Sequence, residues 1–283
     1  MSDTSIEWVK NSDGSQGKTW NPVRGCTRVS PGCKNCYAER IAARFSGTGP
    51  LRSPGCNGPK DAFAGFAKST PSGPRWTGKV ELIESMLDIP LRRKKPTTWF
   101  VNSMSDLFHE SLPDEAIDRV FAVMALCPQH TFQVLTKRAK RMREYFSALI
   151  ERRRAIEDQV DCLATYLPDL DLPIEEVYLP PGNVRLGVSC EDQQRADERI
   201  PELMKLAAMG WKTMVSAEPL LGPVDLSRFL RAVPQICQNC GGQLALDDKK
   251  WQHRIENRDG VSCSTEFPSS GGLPAMQQGV RVK

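Results

Sequence analysis

The sequence reads Thr97-Thr98-Trp99-Phe100-Val101-Asn102 and, further along, Thr131-Phe132-Gln133-Val134-Leu135-Thr136. Both stretches are short and rich in β-branched and aromatic residues, which is typical of buried strands. Between them, an apolar stripe at helical spacing is formed by Ile117, Val120, Phe121 and Met124. The helix start is marked by Ser111-Leu112-Pro113-Asp114, with a capping hydroxyl, an early proline and an acid in the first turn. Strand, helix and strand in this order predict a βαβ unit with parallel strands.

The same alternation continues on both sides of this unit. Further strands are predicted at Lys79–Ile83, Val184–Ser189 and Lys212–Ser216, and a sixth near Thr19–Val23. Helices are predicted from Lys137 to about Tyr166 and along the stripe Ala196, Ile200, Leu203, Met204 and Ala207, where Gly210 ends the helix. The pattern predicts an α/β protein with a partial or closed parallel (β/α) barrel; the alternative is a doubly wound open sheet.

The chain divides into a main domain and a short C-terminal segment. We assign residues 1–232 to the barrel, with a long insertion at residues 46–78 that contains seven glycines and five prolines. Residues 233–283 are polar and show no convincing period of a helix or strand. We expect them to form a small cysteine-containing module or tail.

Composition sets broad limits on function. The 283 residues are 40% hydrophobic and 25% charged, which is the balance of a globular protein. There is no apolar run of about 20 residues, and the N-terminus lacks the pattern of a secretory signal, so we expect a cytoplasmic protein without a membrane partner. The net charge of +4 permits a nucleic-acid partner but does not require one.

Three of the ten cysteines crowd together in Cys26-Thr27-Arg28-Val29-Ser30-Pro31-Gly32-Cys33-Lys34-Asn35-Cys36. The turn at Pro31-Gly32 and the Cys33-x₂-Cys36 spacing allow three thiolates to converge. A [4Fe–4S] cluster held by Cys26, Cys33 and Cys36 would have one iron without a protein ligand, as a substrate-activating cluster requires. The alternatives are a zinc site, which needs a fourth ligand, and uncoordinated thiols.

The sequence around these cysteines resembles the phage-associated radical-SAM-like proteins of unassigned function. The resemblance lies in Trp20-Asn21-Pro22-Val23-Arg24-Gly25-Cys26 and Ser30-Pro31-Gly32-Cys33-Lys34-Asn35-Cys36-Tyr37-Ala38-Glu39, and in the strings at residues 100–108 and 215–223. It covers about residues 6–230. It implies a radical-SAM-type barrel with a [4Fe–4S] cluster, on which S-adenosylmethionine (SAM) is cleaved. The cysteine spacing of six residues and then two differs from the commoner radical-SAM spacing of three and two.

Polar residues follow the predicted strands, at the edge where barrels place their chemistry. SAM presents an ammonium, a carboxylate, a sulfonium and a ribose diol, which suit carboxylates, amides and cationic side chains. The residues that we expect to contact SAM or substrate are Asn102, Ser103, Asp106, Thr136, Lys137, Ser189, Glu191 and Glu218. Capping of the following helices is the alternative role for each of them.

The C-terminal segment carries Cys237-Gln238-Asn239-Cys240, and His253 and Cys263 follow. These four residues would complete a structural zinc site; free thiols in a loop and an auxiliary iron–sulfur cluster are the alternatives.

The leading hypothesis is a radical SAM enzyme that takes a hydrogen atom from a substrate, for which a nucleobase or modified nucleotide in phage or host nucleic acid is one candidate. It would require a cellular electron donor for the cluster. The rival hypotheses are a zinc-containing nucleic-acid-binding protein and a redox sensor that holds an iron–sulfur cluster without cleaving SAM.

Overall fold

The computed structural model describes residues 4–46, 62–170, 172 and 177–230, together with the strands at 235–236, 243–247 and 250–253. The strands of the main body are β1 Lys18–Trp20, β2 Val23–Arg24, β3 Ala67–Lys68, β4 Arg75–Trp76, β5 Glu81–Leu82, β6 Thr98–Val101, β7 Thr131–Thr136, β8 Val184–Ser189 and β9 Lys212–Ser216. The helices are α1 Tyr37–Arg44, α2 Asp114–Ala125, α3 Ala139–Tyr145, α4 Leu149–Tyr166, α5 Gln193–Ala208 and α6 Ser227–Leu230.

The central sheet has five parallel strands in the order β1-β6-β7-β8-β9. The strands lie in the sheet in the same order as they occur in the sequence, so each crossover adds the next strand at the same growing edge of the sheet. Right-handed crossovers in one direction place the connecting helices on one face of the sheet, whereas a doubly wound sheet reverses direction at a switch point. The α/β class and the parallel sheet are therefore confirmed, and the doubly wound alternative is wrong.

The sheet is not closed within the part of the chain that the structure describes, because β1 and β9 remain at its edges. A closed parallel barrel of this kind takes about eight strands, and five span only part of that circumference. The closed form of the predicted barrel is thus wrong for these residues.

Alternate residues of the strands form the main core against the helices. Trp99, Val101, Phe132 and Val134 are fully buried there. An aromatic cluster continues the core outward, in which Phe146 lies 5.2 Å from Phe121 and 4.2 Å from Trp211 between ring centroids. These aromatic contacts anchor α2 and the segment before β9 to the same face of the sheet.

The opposite face is covered in part by the N-terminal segment. The ring of Trp8 meets Phe100 edge to face at 4.8 Å, and Gln133 Nε2 donates to the carbonyl of Trp8 at 3.4 Å. Further along this face, a Cβ at Gly187 would lie 2.7 Å from Met214 Cγ, so the missing side chain permits close packing.

Three local predictions are corrected. The helical stretch from Lys137 forms two helices, α3 and α4, which are separated at residues 146–148. The strand predicted at Lys79–Ile83 is shorter and pairs with β2, antiparallel and outside the central sheet. The C-terminal segment contains an antiparallel sheet, with strands β10 Gln235–Ile236, β11 Gln243–Asp247 and β12 Lys250–His253, although its sequence shows no convincing period.

Other details agree with the sequence. Gly210 follows α5 with φ of +93°, a left-handed conformation that suits glycine after a helix. The described part of the Gly/Pro-rich insertion, residues 62–78, contains the β3–β4 pair, which packs on α1. Among the described residues, every helix is too short or too polar to cross a membrane.

Candidate functional site

The site lies at the carboxyl ends of the parallel strands, where the cysteine-bearing loop (residues 25–36) meets the segments that follow β6, β7 and β8. The loop begins at Gly25, whose φ is +89°. A Cβ there would lie 1.8 Å from the carbonyl oxygen of Lys79, so only glycine fits. Gly25 also forms a parallel bridge with Ser105, which draws the loop against the segment after β6.

The three cysteines of the loop are near enough for the charges of Cys33 and Cys36 to act on Cys26. Cys33 ends a 3₁₀ turn at Pro31–Cys33, and Cys36 is the residue that precedes α1. Burial raises the pKa of Cys26 to about 12; the charges of Asp106, Cys33 and Cys36 act in the same direction, while that of Arg138 opposes them. Burial also raises the pKa of Cys36, against the backbone N–H groups of Ala38 and Glu39 at the start of the helix. Both shifts oppose formation of the thiolates.

The donor set was compared with what a metal centre requires. In the described ranges, no three His, Cys, Asp or Glu side chains are arranged to hold a metal ion. A single zinc ion binds each thiolate at about 2.3 Å, so its sulfurs must stand within about 4 Å of one another. In an iron–sulfur cluster each thiolate binds a different iron, so its ligands are spread more widely. By number, Cys26, Cys33 and Cys36 fit a cluster with one open iron, whereas a closed zinc site needs a fourth ligand.

A buried arginine joins the cysteine loop to the ends of two strands. Arg138 Nη1 lies 3.0 Å from Asp106 Oδ2 and 3.9 Å from Cys26 Sγ. Its Nη2 donates to Thr27 Oγ1 at 2.8 Å, and its Nε donates to Glu110 at 2.7 Å. The side chains of Arg138 and Asp106 are only 4% and 8% exposed. The arrangement places a fixed positive charge beside the first thiol of the loop.

Both carboxylate oxygens of Asp106 accept hydrogen bonds. It accepts hydrogen bonds from the hydroxyl of Thr136 at 2.6 Å, from the backbone of Lys137 at 3.2 Å and from the backbone of Phe108 at 3.1 Å. With the Arg138 ion pair, these bonds link the end of β6 to the end of β7. Asp106 and Thr136 therefore position the site residues around them.

A second buried carboxylate holds the turn between the cysteines. Glu191 is fully buried and accepts from Arg199 Nη1 at 2.9 Å and from the backbone N–H of Gly32 at 3.2 Å. A Cβ at Gly32 would lie 2.9 Å from Glu191 Cδ, so glycine permits this approach. Lys137 Nζ lies 3.9 Å from Glu191. Burial works against ionisation, but the hydrogen bonds and the two cations lower the pKa of Glu191.

The segment after β6 turns on Asn102, whose φ is +58°, a left-handed conformation that asparagine tolerates. Its Oδ1 accepts from the backbone of Val23 at 3.2 Å. Its Nδ2 is buried and has no hydrogen-bond partner in the described residues. Ser103 Oγ donates to Asn21 Oδ1 at 3.1 Å. Asn102 thus offers one free donor at the carboxyl end of the sheet.

One comparison with known proteins bears on these residues. The family described as "Protein of unknown function (DUF5131)" matches residues 3–262. The chain belongs to this family. No curated protein and no solved structure matches it. The DUF5131 match includes the whole cysteine loop and all strands of the central sheet, and it ends one residue before Cys263.

In this DUF5131 protein, the residues predicted from sequence separate into two groups. Asp106, Thr136 and Glu191 are buried and bonded to other parts of the site, as described above, and Ser189 is 4% exposed at the end of β8. Lys137 is partly exposed at 18% of its side chain, and Glu218 is exposed beyond β9, next to a cis bond to Pro219.

The proposed zinc ligands Cys237, Cys240 and Cys263 lie outside the described residues. His253 is the last residue of β12, and its side chain is also outside the described set. Zinc binding by the C-terminal segment therefore stays a prediction.

Sequence reasoning did not select Arg138, Arg199 or Thr27 as site residues. The sequence places Arg138 among the polar residues that directly follow a strand, after Thr136 and Lys137, but not in the set expected to contact SAM or substrate. Arg199 lies within α5 and carried no such signal; only the tertiary contact with Glu191 reveals it.

Proposed function

We propose that this protein is a radical SAM enzyme that holds a [4Fe–4S] cluster on Cys26, Cys33 and Cys36. The observation that supports it most is the position of three cysteines in one loop at the carboxyl end of a parallel sheet. A cluster on these thiols would keep one iron open for SAM. A radical-SAM-type barrel is part of the proposal.

If bound by Cys26, Cys33 and Cys36 and then reduced, a [4Fe–4S] cluster would supply the electron for cleavage of SAM, which in turn would permit hydrogen abstraction from a substrate. The role of this chain is to position the groups. Glu191 and Arg199 fix the turn at Gly32, and the Asp106–Arg138 pair fixes the loop at Cys26. The cation of Arg138 also favours the thiolate of Cys26.

Three predicted residues remain available for SAM. The buried Nδ2 of Asn102 has no partner in the described residues and can donate to a ligand oxygen. The partly exposed ammonium of Lys137 suits the SAM carboxylate, and the exposed carboxylate of Glu218 suits the ammonium or the ribose diol. The proposed cofactors are therefore the [4Fe–4S] cluster and SAM, with zinc as a separate prediction for the C-terminal segment.

The decisive experiment is anaerobic reconstitution with iron and sulfide, reduction with dithionite, and chromatography for 5′-deoxyadenosine in the presence of SAM. About four irons per chain and formation of 5′-deoxyadenosine support the enzyme. Zinc at the three cysteines, without iron, would favour the nucleic-acid-binding protein. A cluster that forms but yields no 5′-deoxyadenosine would favour the redox sensor.

A further inference from the structure

The surface beside the cysteine loop carries positive charge that the described residues do not neutralise. Residues 24–46 contain five cationic side chains and one carboxylate, Glu39. Glu39 is buried, pairs with Arg28 and accepts from the backbone of Trp76 at 2.8 Å. It therefore does not offset the charge at the surface.

Three exposed cations lie on α1 or shortly before it. Arg40 and Arg44 are exposed on α1, while Ala38, Glu39, Ala42 and Ala43 form its buried side. Lys34 precedes the helix and is also exposed. Within the ranges that the structure describes, none of these three cations forms an ion pair. We call Lys34, Tyr37, Arg40 and Arg44 the α1 face.

The α1 face also presents an aromatic ring. Tyr37 lies at i−3 from Arg40 and i−7 from Arg44, so the three side chains lie on one side of the helix. The Tyr37 hydroxyl donates to the carbonyl of Ser103, which fixes the far end of the ring, and the residue is 45% exposed. Tyr37 directly follows Cys36, so a flat group stacked on this ring would lie beside the proposed centre.

We propose that the α1 face binds single-stranded nucleic acid, with Arg40, Arg44 and Lys34 on phosphates and Tyr37 stacked on a base. Arginines match phosphate geometry with paired donors, and an exposed aromatic ring between cations is the combination that binds single strands. Bases within a duplex are already stacked and cannot use the ring. Nucleic acid as the substrate rests on the proposed radical function; the binding itself does not.

The test is fluorescence anisotropy of labelled 20-nucleotide single strands with the full-length chain at several salt concentrations. Arg40→Glu/Arg44→Glu should weaken binding at least tenfold. The slope of the logarithm of the binding constant against the logarithm of salt concentration should become shallower by about 1.4, since each lost phosphate contact on a single strand contributes about 0.7. The matched control is Lys94→Glu/Arg154→Glu, which changes the net charge equally at exposed positions away from α1. Tyr37→Ala should cost about tenfold, whereas Tyr37→Phe retains the stacking ring and should bind like the parent.

Equal weakening in the α1 and control variants would overturn the proposal, because it would show only general charge attraction. Unchanged binding by Tyr37→Ala would also overturn it, as would an affinity for duplex equal to that for single strands. Competition by polyglutamate as effective as that by unlabelled single strands would overturn it too, and would point to an acidic protein partner. Failure of the proposed radical function is seen separately, as absence of iron or 5′-deoxyadenosine in the parent protein, whatever the anisotropy shows.

Discussion

Replacement of Arg138 by methionine should destabilise the cluster-free protein by about 3 kcal/mol. Removing one partner of a buried ion pair costs about 3–5 kcal/mol because it leaves the other charge buried. Asp106, the partner, lies 3.0 Å away and is 8% exposed. We take the lower end of the range because Asp106 would keep its bonds from Thr136 and from the backbone of Lys137 and Phe108.

The assay is urea unfolding followed by far-UV circular dichroism, with reduced protein under anaerobic conditions. Arg143→Met is the matched control, since Arg143 lies on α3 and pairs with Glu202 at 2.7 Å, but its side chain is 30% exposed. An exposed pair contributes about 0–1 kcal/mol. The double variant Asp106→Asn/Arg138→Met should lose less than the sum of its single variants, because no unpaired charge remains.

The reasoning would be refuted if Arg138→Met lost no more stability than Arg143→Met. It would also be refuted if the double variant lost the full sum, because Asp106 and Arg138 would then act independently.

Four further predictions concern the metal sites, the SAM pocket and pH. Cys26→Ala should remove about four irons together from the reconstituted protein, measured by iron and sulfide analysis; loss of a single iron would contradict a cluster. Glu218→Ala should retain the brown colour and bind SAM about ten- to a hundredfold more weakly by equilibrium dialysis, and parental affinity would remove Glu218 from the pocket. Cys237→Ser/Cys240→Ser should remove one zinc without loss of iron; unchanged zinc content would show that the C-terminal segment does not bind it. Burial lowers the pKa of His130, although the hydrogen bond to the Pro90 carbonyl opposes this shift. Below pH 6.5 the unfolded chain therefore binds the proton first, and the free energy of unfolding falls as the pH falls. In His130→Phe, the urea midpoint should vary less between pH 7.5 and pH 5.5, and the same pH dependence as in the parent would contradict this account.

The local sequence determined most of the secondary structure of the central sheet. Strands at 131–136, 184–189 and 212–216 have the predicted bounds, because β-branched and aromatic runs of this length suit a sheet buried on both faces. The α2 helix follows from its apolar stripe and from the acidic residues in its first turn. The predicted capping hydroxyl is wrong, because the N-cap residue is Pro113 and no side chain caps the helix. The cysteine spacing, with Gly25 and Pro31-Gly32, likewise marked one loop as the candidate site.

Tertiary structure decided how these elements combine. The order of the strands, and with it the open singly wound sheet, depends on pairing between segments far apart in sequence, which local periodicity does not encode. The same is true of the contacts that hold the cysteine loop: Glu191 reaches Gly32 across 159 positions, and Arg138 reaches Cys26 across 112. A buried charge requires a partner, but only the fold determines which distant residue supplies it.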